Sequence, residues 1–133
     1  MKNILILTLI SWAFTLVNAS ANQITCSSHN QNLEYLESSY TGGPAPHPGQ
    51  ELSRRKIVVG NLLSQEIVYF QDKEPKGEWK VQLNFTELHT LGTTGNPNFG
   101  TRDYVSKLEI LDSEGTFLAD FFVICKKVWM YAP

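Results

Sequence analysis

Two cysteines, Cys26 and Cys125, stand near opposite ends of the chain, and no others accompany them. A bridge between them would close a loop of 99 residues. Whether they pair depends on the compartment, and the N-terminus speaks to that. Met1-Lys2-Asn3 carries one positive charge, and Ile4 to Val17 is apolar except for Thr8, Ser11 and Thr15. Ala19-Ser20-Ala21 follows with the small-x-small form of a signal-peptidase site. The apolar run is shorter than the roughly 20 residues that span a bilayer, and no second such run follows. The sequence therefore predicts a secretory signal peptide over residues 1–21 and a single exported domain over residues 22–133, secreted or periplasmic, with no membrane span in the mature form. In that oxidising setting two thiols at opposite ends of a small domain pair as a structural bridge. Their spacing lacks the Cys-x-x-Cys pattern of a redox site.

Loss of residues 1–21 from 133 leaves 112, enough for one core with little to spare. It also removes one of 11 basic residues, leaving 10 against 13 acidic ones and a net charge of −3. That balance argues against nucleic acid as a partner and against a disordered acidic chain. Arg54-Arg55-Lys56 is the one basic cluster, read as a solvated strand edge.

After residue 22 the hydrophobic period is two. Trp79, Val81, Leu83 and Phe85 alternate with Lys80, Gln82 and Asn84, so Glu78 to Thr86 reads as a strand with one face in a core. Phe117 to Cys125 is apolar on both faces and reads as a central strand. Tyr104 to Leu111, Glu66 to Gln71, Lys56 to Val59, Asn22 to Ser28 and Leu33 to Tyr40 complete the strand candidates. Ser27 to Asn32, Asp72 to Gly77 and Asp112 to Gly115 read as tight polar turns. The fold class is all-β: a small antiparallel β-sandwich or β-barrel of about seven strands. Ile24 and Cys26 share parity, as do Phe121, Val123 and Cys125, so both cysteines fall on the apolar faces of their strands. The disulfide is thus expected to clasp the first strand to the last.

Two segments read as long loops. Thr41 to Gln50, "TGGPAPHPGQ", holds three glycines and three prolines around His47 and cannot continue as a central strand. Such a restrained loop presents His47 and the neighbouring Tyr40 at low entropic cost. Glu87 to Asp103, "ELHTLGTTGNPNFGTRD", carries Phe99 and Arg102, residue types that dominate interfaces. Phe99 either anchors a partner or folds back to plug the mouth of a barrel. Tyr40, His47, Phe99 and Arg102 are the candidate binding residues.

Catalytic patterns are sparse. His29, His47 and His89 lack helical zinc-site spacing, no Gly-x-Ser-x-Gly elbow occurs, and Gly92-Thr93-Thr94-Gly95 lacks the lysine of a P-loop. The sequence points to no metal or cofactor and to no catalytic residue with a defined partner. Asp120, between apolar neighbours, is the one acid whose setting raises acid–base chemistry. The expected function is a monomeric, non-enzymatic exported module that contacts a protein or glycan through the two loops. The alternatives are an inhibitor of an extracellular or periplasmic hydrolase, and a small hydrolase using Asp120 or a loop histidine.

Overall fold

A computed structural model of the protein describes residues 19–28, 30, 32–42 and 47–132. Residues 1–18 of the expected signal segment, His29, Gln31, the Gly43–Pro46 part of the first loop and Pro133 lie outside the described residues. Eight strands follow in order: β1 (Ala19–Ser28), β2 (Leu33–Gly42), β3 (Glu51–Val59), β4 (Leu63–Phe70), β5 (Lys73–Glu78), β6 (Gln82–Asn96), β7 (Phe99–Leu111) and β8 (Phe117–Ala132). Signal cleavage after Ala21 would leave Asn22 to Ser28 of β1, with the cysteine intact.

All eight lie in one antiparallel sheet in the order β5-β4-β3-β2-β1-β8-β7-β6. Two meanders, β1 to β5 and β6 to β8, meet where β1 pairs with β8. The chain joins them at the far edges, because residues 79–81 connect β5 to β6. Those two edge strands form no ladder with each other, so the sheet is not closed by hydrogen bonds. It nevertheless curls: the rings of Tyr35 on β2 and Phe85 on β6 meet with centroids 5.1 Å apart.

Alternation puts one set of side chains on the concave face. Leu33, Ile57, Leu108, Ile110 and Val123 are fully buried there, packed with Tyr35, Val59 and Val81. Each such burial is worth about 1.5–3 kcal/mol. Cys26 and Cys125 are direct partners in the β1–β8 register and form the disulfide, both buried in this core. The bridge therefore lies at the one paired junction between the two meanders.

Three readings of the sequence are corrected. Lys73 to Glu78, within the stretch read as a turn, is strand β5, and every residue of it is exposed. An edge strand with no buried face has no apolar alternation to read, and Pro75 with its flanking lysines suits an unpaired edge. Trp79 to Val81 lies outside the strands: this link packs Trp79 and Val81 on the core, and Lys80 N donates to Gln65 Oε1 at 2.8 Å. Glu87 to Asp103 is no loop but the distal half of a long hairpin, β6 and β7 turning at Pro97-Asn98. Register shifts at Glu87/His89 and Thr90/Gly92 break the alternation there, and β6 is exposed beyond Leu83. At its tip Gly95 has φ +109°, and a Cβ there would stand 2.3 Å from the Phe99 carbonyl oxygen.

Candidate binding site

One end of the sheet gathers the segments that the sequence singled out. The β2–β3 connection, the β4–β5 turn and the β6–β7 tip all lie there, because the strands alternate in direction around the sheet. Gly49 N donates to Gln71 O at 2.7 Å, and Gln71 N to Gln50 O at 2.8 Å, tying the His47 segment to the β4–β5 turn. His47 itself is exposed, with its Nδ1 3.3 Å from Pro48 O.

On the outer face of this end, direct cross-strand partners form a row: Tyr40 on β2, Ala21 on β1, Met130 on β8 and Phe99 on β7. Phe99 is 60% exposed and Met130 53%, whereas Tyr40 is half-buried. Phe99 points away from the core and plugs nothing. A shallow groove of about 290 Å³ runs beside the row, lined by Tyr40, Leu52, Val128 and Met130 among others. Farther along the same face a broader groove of about 690 Å³ crosses Leu36, Val58 and Ile124, with Lys56, Lys126 and Asp103 at its sides.

Arg102 is on the opposite face from Phe99, so the two do not act as neighbours. They are three positions apart on a strand, and an odd interval inverts the face. Arg102 belongs to a concave row of cross-strand partners: Arg55 on β3, Glu37 on β2, Ile24 on β1, Lys127 on β8, then Arg102 on β7. It forms an ion pair with Glu87 and lies 4.5 Å over the Tyr104 ring. Burial holds the Tyr104 hydroxyl above its ordinary pKa, with Arg102 opposing.

Arg55 is the functional-type residue that sequence reading missed. The cluster Arg54-Arg55-Lys56 is not at an edge, since β3 runs between β2 and β4. Its residues alternate: Arg54 bonds Glu51 and Glu66 at 2.9 and 3.1 Å on the outer face, while Arg55 enters the concave side. There the Arg55 guanidinium lies 4.4 Å from the Trp79 ring and 5.9 Å from that of Tyr35. Its Nε donates to the Tyr35 hydroxyl at 3.2 Å, and that hydroxyl donates to Glu37. Burial, reinforced by Glu37 and opposed by Arg55, holds the Tyr35 hydroxyl far above its usual pKa. The parity of Ile57 and Val59 could have placed Arg55 inward, because all three share one face.

Among the described residues, two side-chain polar atoms are buried without a hydrogen-bond partner, Trp79 Nε1 and Asn22 Oδ1. Trp129, in register with Asn22, donates from Nε1 to Asn96 O at 2.9 Å and covers Gly100, where a Cβ would meet its ring at 2.5 Å.

Asp120 lies toward the other end of the sheet on the outer face, exposed and 3.5 Å from Lys107 Nζ. An open pocket of about 410 Å³ beside it is lined by Ser28, Asn30, Lys107, Phe121 and Phe122. His89 is exposed on β6, far in the sheet order from the His47 segment. Among the described residues, no group of three or more His, Cys, Asp or Glu side chains is placed to hold a metal ion. No helix among them is long and apolar enough to cross a membrane.

No known family model matches this chain, and neither a curated protein nor a solved structure matches it.

Proposed function

We propose that the protein is an exported, non-enzymatic binding module that engages a protein or glycan partner with the outer face of its loop end. Tyr40, Met130 and Phe99 carry this reading: Met130 and Phe99 are direct cross-strand partners and Tyr40 lines the same groove as Met130, so residues from segments remote in sequence share one strip that survives cleavage after Ala21. A phenyl ring and a thioether left more than half exposed on a paired, rigid hairpin supply anchor area at little ordering cost. The adjoining groove sets Leu52, Val128 and Met130 beside Gln23, Ser38, Ser39 and Glu51, a mixed lining that suits either a protein or a glycan. A hydrolase inhibitor is one form of such a partner-binding module.

The test compares capture by the immobilised, disulfide-intact domain from culture medium or periplasmic extract, using wild type, Phe99→Ala and Leu62→Ala. Leu62, 69% exposed at the opposite end, controls for nonspecific apolar adhesion. Truncating an anchor costs about 2 kcal/mol or more, roughly a thirtyfold loss of affinity. Phe99→Ala should therefore lose the captured species while Leu62→Ala retains it. Equal capture by both variants would remove the loop-end strip from the account. A glycosidase-sensitive capture would assign the glycan.

A further inference from the structure

Independently of the outer strip, we infer that the concave face around Arg55 and Trp79 takes a small organic monoanion, a carboxylate on an aromatic or aliphatic body. The inference starts from polar groups whose partners are missing. Among the described residues Trp79 Nε1 is a buried donor with no acceptor, and buried polar groups are ordinarily paired. Directly against its ring is the Arg55 guanidinium, whose only hydrogen bond among the described residues is from Nε to the Tyr35 hydroxyl. Indole and guanidinium groups donate and never accept, so the partner they lack is an acceptor. With aromatic rings beside it, the guanidinium is free to bind through its in-plane N–H edge, the geometry that takes a carboxylate by two parallel bonds.

Charge sets the valence. Arg102 and Glu87 neutralise each other as an ion pair. Glu37 is negative and occupied by the Tyr35 hydroxyl. Arg55 has no carboxylate partner, and Lys127, two strands from Glu37 in the same row, has no ion pair among the described residues. Two cations against Glu37 leave one positive charge uncompensated, which one carboxylate balances. A phosphate dianion would overshoot and meet Glu37.

The rest of the surface fits the body of such a ligand. Phe85 packs on Tyr35, yet 38% of it remains exposed beside the unpaired edges of β5 and β6.

Phenylacetate, hexanoate and benzoate serve as probes, each against its neutral amide, followed by tryptophan fluorescence and by ¹⁵N chemical shifts of the disulfide-intact mature domain. At least one acid should saturate, with its amide about tenfold weaker or more, as loss of a charge-assisted bond implies. Arg55→Gln and Trp79→Phe should each weaken the acid by a similar factor. Trp79→Phe keeps an aromatic ring against Arg55 and removes only the indole donor, so it reads the site even if Arg55→Gln unfolds. Phe99→Ala should bind the acid as wild type does, which separates this site from the outer strip. Acid and amide binding alike, unchanged binding in Trp79→Phe, or saturation by none of the three acids would overturn the inference.

Discussion

Removing the bridge with the double substitution Cys26→Ala, Cys125→Ala probes the architecture most sharply. The disulfide joins β1 to β8, and among the described residues that ladder is the only one between the β1–β5 and β6–β8 meanders. Elsewhere the meanders are tied by the link at residues 79–81 and by side-chain packing such as Tyr35 against Phe85. With the cysteines 99 positions apart in sequence, the chain-entropy relation gives about 4.7 kcal/mol of stabilisation through the unfolded state. A domain of this size changes its unfolding entropy by about 0.2 kcal/mol per kelvin. The melting temperature should then fall by about 20 °C, read by calorimetry on the oxidised protein and the variant at one pH. Mass spectrometry without reduction should find no free thiol in the wild type. A fall of only a few degrees would refute the view that the bridge stabilises the domain chiefly by restricting its unfolded chain. Two alkylatable thiols in the native protein would refute the bridge itself.

Two further outcomes follow from the concave core and its tyrosine. Leu108→Ala, at a fully buried position, should cost about 2–5 kcal/mol in urea denaturation, while exposed Lys107→Ala beside it should stay within about 0.5 kcal/mol; equal costs would overturn the strand-face assignment. Tyr35 ionises at about 10.0 when unfolded and well above that when folded, so above pH 10.0 the native state holds the extra proton and stability falls as pH rises. Tyr35→Phe should make that fall shallower, and an unchanged slope would remove Tyr35 as its cause.

The core of this fold was legible where one face is buried and the other wet. Cys26 and Cys125 share parity with Ile24 and Val123, and that parity, together with the disulfide expected of an exported chain, placed the first strand beside the last. The signal failed where burial stops. β5 has no buried face, and the distal half of β6 extends beyond the core with shifted register, so glycines and threonines there resemble a loop. The same limit shaped the site. Phe99 and Arg102 lie close in sequence, but strand geometry sends them to opposite faces. Arg55 was hidden inside a run of three cations, where charge suggested solvent and only the parity of Ile57 pointed inward. Trp79 comes to Arg55 through the link between the two edges, a contact that depends on how the whole sheet curls.

The claim that the loop end is the working end is tested most directly by a photo-crosslinking amino acid placed at Phe99 and, separately, at Leu62. Both positions are exposed, and they stand at opposite ends of the sheet. Irradiation of each variant in the medium or extract where the protein resides should yield a discrete crosslinked species from position 99 and none from position 62. A discrete product from position 62 with none from position 99 would contradict the account.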